Sequence, residues 1–160
     1  IIINGKLFQG SHFQAGELTF LLPLQMEKLD PSLMQGTTLS AIGLITKVNE
    51  ILARLDLKDG LLAFKAINAK KEAVYPIFET YCRNLAITIL NLQTIFDMET
   101  FVLGGGISAQ SILIEEVNRQ FDKVHHEIDF IGKIIKRPKI VACHHNGTNL
   151  IGAAYFLKQG

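Results

Sequence analysis

Cysteine is scarce in these 160 residues: Cys82 and Cys143 are the whole supply, too few for a disulfide framework. Cys82 falls inside a helical pattern and Cys143 at a strand end, so both read as reduced structural thiols, the usage of a cytoplasmic protein. Long apolar runs are also missing: none approaches the roughly 20 residues needed to span a bilayer. The first residues, IIINGKLFQG, lack the basic start and small-residue cleavage site of a secretory signal. Charge of one sign is not in excess either. The formal net charge is +1, which points away from nucleic acid and membrane surfaces as partners. The short basic stretch KIIKRPK (133–139) sits among acidic and apolar segments and reads as a solvated loop leading into a strand. There is no internal repeat and no low-complexity tract. Methionine is missing from the first position. The chain opens on Ile1, already in an extended apolar run, and so reads as a piece of something longer.

What is present is a globular composition, 48% hydrophobic, of a length that suits a single domain over residues 1–160. Residues 1–8 read as a strand containing an Asn4-Gly5 turn signal. Residues 10–23 read as a second extended segment, and 24–36 as loop, with Asp30-Pro31 and Gly36 as breakers. In 37–55, Leu39, Ile42, Ile45, Val48, Ile51, Leu52 and Leu55 recur at helical spacing, with Thr37 or Thr38 as N-cap. A shorter amphipathic piece covers 61–70. The longest helix is expected over 73–97, with Ile77, Tyr81, Leu85, Ile89, Leu92 and Phe96 inward and Pro76 in its first turn. A strand at 100–103 is followed by a helix at 107–127 that turns Ile112, Leu113, Val117, Phe121 and Val124 inward. A second buried strand, KIVAC (139–143), leads to a terminal helix over 147–160. The late strand–helix–strand order predicts a parallel pair. The expected class is therefore α/β, a mixed sheet packed with helices.

The segment FVLGGGIS (101–108) places three glycines between a strand and a helix. Backbone N–H groups and the helix N-terminus, with about half a positive charge, suit an anion there. Gly104, Gly105 and Gly106 would let a phosphate or ribose approach the main chain, and Ser108 would add a hydroxyl. This is no P-loop, since the Lys-Ser/Thr ending is missing. Gly104-x-Gly106-x-x-Ala109 matches a dinucleotide fingerprint, yet the next strand ends in Cys143-His144-His145-Asn146 with no ribose-binding acid. Taken alone, the loop leaves a plain tight turn and a phosphate cradle both open.

Three stretches together, IIINGKLFQGSHFQAGELTF, FVLGGGIS and HHNGTNLIGAA, resemble in order and separation the C-terminal half of the ROK family of sugar kinases and repressors. The resemblance covers nearly the whole chain and implies the C-terminal half of an actin-like ATPase (ribonuclease H-like) fold. It further implies ATP with Mg as the nucleotide, bound in part by Gly104, Gly105 and Gly106, and a sugar substrate hydrogen-bonded by Glu17. His12, in the loop before Glu17, is a further candidate for the sugar pocket. In this sequence Thr19 and Phe20 replace a glycine and a histidine of the family pattern. No cysteine occurs in 21–40, so the resemblance is to a zinc-less branch and no zinc is expected. In NGTNLIGAA, Gly147 replaces an acid, and that stretch is assigned no chemistry. The family's Asp-x-Gly-x-Thr motif, its catalytic aspartate and a Gly-Thr-Gly-rich loop do not occur in this chain. It is therefore expected to carry parts of two binding sites, no catalytic residue and no activity by itself. The implied partners are a sugar, ATP and a second copy in a homodimer, with nucleic acid only where a helix-turn-helix domain is attached. The implied function is part of an ATP-dependent hexose or glucoside kinase. The alternatives are the sugar-sensing domain of a ROK repressor and a catalytically inert binding module.

The remaining polar residues read as structural. Adjacent histidines, His125-His126 and His144-His145, point apart on a helix or a strand and do not form a metal site. Glu115, Glu116 and Glu127 read as a solvated helix face. Tyr75, Phe78 and Tyr81 read as core, or else as a contact with a second subunit.

Overall fold

The computed structural model describes residues 1–23, 27–145 and 148–157. The chain forms two compact units, Ile1–Gly43 and Leu44–Gly160. The boundary falls inside a helix, so no linker composition marks it.

The first unit opens with a hairpin, β1 (Ile2–Ile3) and β2 (Lys6–Leu7), with Ile2 opposite Leu7 and Ile3 opposite Lys6. Asn4 and Gly5 take φ of 52° and 73°, the left-handed pair that a two-residue hairpin turn requires. The extended segment expected over 10–23 does not form. Gly10, Phe13 and Gly16 all have positive φ, at 70°, 58° and 89°, and no strand accommodates three left-handed residues in seven. The chain instead turns into a 3-10 helix at Leu18–Phe20, then a second at Pro31–Leu33. Each is started by an acidic side chain two residues before the amide it accepts from: Thr19 N–H to Glu17 Oε1 at 3.1 Å, Ser32 N–H to Asp30 Oδ1 at 2.8 Å. Helix α1 (Gln35–Thr38) follows. Its Gly36 is required by space, because a Cβ there would lie 2.5 Å from Thr19 Cγ2. No described side chain of this unit is buried.

Helix α2 runs Ala41–Ile51. Its start is capped by Ser40, whose Oγ accepts from Gly43 N–H at 3.0 Å, rather than by Thr37 or Thr38. Leu44 and Val48 are buried, with Ile45 and Leu52 packed beside them, whereas Ile42, Ile51 and Leu55 are exposed. The expected stripe stops short of Leu55 for a backbone reason. Ala53 turns left-handed at φ 48° and Arg54 N–H returns to Asn49 O at 2.9 Å, closing the helix before Leu55. Asp59 caps α3 (Gly60–Asn68) through Leu62 N–H at 2.9 Å.

Helix α4 spans Tyr75–Phe96. Its buried apolar residues are Phe78, Cys82, Ala86 and Ile89. Of the expected inward set, Ile89 is buried and Ile77, Tyr81 and Leu85 pack against the core partly buried, because two adjacent stripes of this helix satisfy the same three-and-four spacing. Phe78 is fully buried and edge-on to Phe64, which rules it out as a subunit contact. The turn after α4 is held by Gln93. Its Nε2 donates to Lys136 O at 3.2 Å and its Oε1 accepts from Met98 N–H at 2.9 Å.

Strand β3 (Thr100–Leu103) pairs in parallel with β4 (Lys139–Ala142), Thr100 opposite Lys139 through Leu103 opposite Ala142. The connection between them carries a 3-10 turn (Gly106–Ala109), α5 (Ser111–His126) and α6 (Asp129–Ile134). All five residues expected inward on α5 are buried. They pack against α4 to form the main core, where each fully buried large side chain contributes about 1.5–3 kcal/mol. The strand expected to be buried is half-buried: Ile140 is inside, while Val102 and Val141, partners in register, are exposed. The basic stretch after α5 is no free loop. It contains the end of α6, and Arg137 is bonded to Asp122 at 2.6 Å and to Asn118 at 2.9 Å. Helix α7 covers Thr148–Leu157. Among the described residues no helix is long and apolar enough to cross a membrane.

Candidate functional site

The three glycines after β3 are exposed. They are not equivalent. Gly105 has φ 96° and ψ 178°, a conformation open essentially to glycine alone. Gly104 and Gly106 have no positive φ, and a Cβ on Gly105 or Gly106 would meet nothing within 4 Å. The loop is therefore open on its outer side, as an approaching ligand requires. No side chain caps the 3-10 turn or α5, which leaves their first amides available to an anion. Ser108 is buried, and its hydroxyl donates to Gly105 O at 2.7 Å. Its donor thus closes the loop instead of facing outward.

The first turn of α5 also borders a cleft of about 560 Å³ between α3, α4 and α5, lined among others by Lys70, Tyr75, Glu79, Ser111 and Arg119. At its base lies Glu116, buried and not on a solvated face. It accepts from Tyr75 Oη at 3.0 Å, from Arg119 Nε at 2.8 Å and from Gln120 Nε2 at 2.7 Å. Arg119 also pairs with Glu79. Desolvation pushes the Glu116 carboxyl up, but bonds from Arg119, Gln120 and Tyr75 outweigh it and hold the group below the usual carboxylate range. Burial, then Glu116 itself, pushes the Tyr75 phenol up to about 12. A signal for this cluster was present: Glu116 and Gln120 fall at inward positions of the α5 period, between Ile112 and Val124. Glu115 and Glu127 are exposed, and Glu127 pairs with Arg83 at 2.6 Å.

In the first unit, Glu17 lines an open cleft of about 510 Å³ with Phe13, Gln14, Ala15, Gly16 and Phe20. Its Oε1 is taken by Thr19 N–H. Hydrogen bonding from Thr19 holds the carboxyl below its ordinary range, so it is an ionised acceptor at neutral pH. His12 is exposed and does not line this cleft. Phe13 and Phe20, two large exposed rings beside a carboxylate, were not singled out as ligand contacts in the sequence; exposure is the signal, and it belongs to the fold.

The His125-His126 pair is structural. His125 is buried, stacks on Phe121 and bonds Ile135 O through Nε2 at 2.7 Å. His126 Nδ1 lies 2.7 Å from Asp122 O. Burial pushes the Cys82 thiol up, leaving it unreactive. Among the described residues no group of three His, Cys, Asp or Glu is placed to hold a metal ion. Asn146 and Gly147 lie outside the described residues.

The model of the ROK family matches residues 1–160. No curated protein matches. Among solved structures, the chain is similar to a ROK family protein from Streptococcus pneumoniae TIGR4, crystallised in complex with sucrose. The TM-score is 0.72 at 26% sequence identity, over 99% of this chain and 55% of that one. The chain thus spans little more than half the length of that structure.

Proposed function

This chain belongs to the ROK family, and from that premise we propose that it is the carboxy-terminal part of an ATP-dependent sugar kinase acting on a hexose or a glucoside. In this reading Glu17 accepts hydrogen bonds from sugar hydroxyls, and Gly104, Gly105 and Gly106 receive the nucleotide. No catalytic residue is assigned to the chain; its part is to bind and orient, which in phosphoryl transfer is a large share of the catalysis.

The observation that carries the reading is the Glu17 cleft. An ionised carboxylate lines an open space of about 510 Å³, and the similar ROK structure holds a carbohydrate, sucrose. The fit of an anionic group to the glycine loop rests on Gly105, whose conformation excludes side chains and whose outer side is open. The test is an ATP-dependent phosphorylation screen of the full-length protein against glucose, fructose, mannose and sucrose. Turnover of at least one sugar, lost in Glu17→Ala, is expected. Binding of a sugar without turnover of any would overturn the kinase reading in favour of a sugar-sensing repressor.

A further inference from the structure

Phe13 has no evident reason to be where it is. Its backbone is left-handed, φ 58°, a conformation that favours glycine and strains a bulky residue. Its side chain is 78% exposed, so burial does not offset the strain. No ring contact involves it among the described residues. Asn4 and Asp97, also left-handed, are types that tolerate that region, and Ala53 and Lys70 each follow the end of a helix. Phe13 is the aromatic exception.

The position of the ring supplies the missing reason. Phe13 lines the same cleft as Glu17, with Phe20, itself 67% exposed, and Gln14. A carboxylate and an amide beside two open aromatic faces match the two chemistries of a pyranose: hydroxyls that donate, and an axial C–H face that stacks on a ring. The cleft, about 510 Å³, falls in the range of roughly 300–1,000 Å³ that holds drug-sized ligands, which is more than one hexose fills.

We propose that Phe13 is a specificity-determining residue, its ring held out by a strained backbone to stack on the second ring of a glycoside whose first sugar is bound by Glu17. This rests on the sugar-binding reading above. Strained backbone clusters at ligand-binding positions, and at Phe13 no aromatic partner among the described residues accounts for it.

Calorimetry on the full-length protein with methyl β-glucoside and phenyl β-glucoside tests it. The wild type is expected to bind the phenyl glucoside about tenfold more tightly, the scale of one good aromatic contact. Phe13→Gly should reduce that preference to about twofold or less while raising the melting temperature, because the strain is relieved. Phe13→Tyr keeps the ring face and should retain the preference. Equal wild-type binding of the two glucosides, or a preference unchanged in Phe13→Gly, overturns the inference and leaves the role of Glu17 standing. Loss of both ligands is expected in Glu17→Ala. If that variant still binds both, or the wild type binds neither, the sugar reading itself fails and takes the inference with it.

Discussion

The two units of this chain are stabilised in opposite ways. In Leu44–Gly160, every buried apolar residue among those described belongs to a single core of α2, α3, α4 with the preceding Val74, α5 and β4. In Ile1–Gly43 no described side chain is buried, and Phe8, Phe13, Phe20 and Leu29 are exposed. That unit is defined by local devices: an Asn-Gly turn, two acidic caps and a glycine fitted against a threonine. One unit therefore derives its shape from burial and the other from turn chemistry. The two candidate sites follow the same division. The glycine loop projects from a packed strand–helix unit, while the Glu17 cleft is built on a segment whose apolar side chains remain available to a ligand.

The sharpest way to break this contrast is to remove one ring from each unit. Phe121→Ala should destabilise by about 3–5 kcal/mol, as transfer and cavity terms add at a fully buried site. Phe8→Ala in the hairpin should change stability by no more than about 0.5 kcal/mol. Urea unfolding followed by circular dichroism reads both; a comparable loss in the two variants would show that the first unit hides a core of its own.

A smaller effect is expected at Glu116. Glu116→Ala leaves Gln120 and Tyr75 without their acceptor in a buried place, and should cost about 2–3 kcal/mol. The pH dependence follows from the direction of the shift. A carboxyl held below its ordinary range in the folded state contributes stability that is present above the unfolded-state value. That contribution is lost as pH falls through the lower folded value. The wild type should therefore lose stability on acidification below the ordinary carboxylate range more steeply than Glu116→Gln, measured by thermal melts across that window. Identical slopes would remove Glu116 from the account of the core.

The smallest comparison sets two glycines against each other. Gly36→Ala forces a Cβ to within 2.5 Å of Thr19 Cγ2 and should cost about 1–3 kcal/mol by overpacking, recovered in part by Thr19→Ala. Gly105→Ala has open space but φ 96° and should cost about 1–3 kcal/mol through backbone strain, with no rescue by any neighbour. Amide hydrogen exchange in each unit separates the two. Rescue of Gly105→Ala by repacking would mean that space, not φ, selects that glycine.

Much of the second unit was readable from periodicity. Strand β3 and the inward face of α5 came out as expected because a single apolar stripe there matches a single packing partner. On α4 two stripes were available, and spacing does not choose between Tyr81–Leu85 and Cys82–Ala86; the partner helix does. In the first unit residues 10–23 read as an extended segment, but left-handed backbone at Gly10, Phe13 and Gly16 overrode it. Glycine signals such freedom; Phe13 gives no local sign of it. At the site, Glu17 and the glycines were legible as residues. The commitment of Ser108 to Gly105 O, and a Glu17 cleft lined from Phe13 onward without His12, were not.

By its order of residues alone, this chain determined its α/β class, the Asn4-Gly5 hairpin, the strand–glycine–helix unit and its family, because these depend on local propensity and on motifs with fixed spacing. The tertiary structure decided which stripe of α4 is buried, that Glu116 is a buried acceptor, and that Phe13 and Phe20 stand open beside Glu17. Those outcomes depend on which surfaces meet, and burial is a property of the meeting, not of either segment.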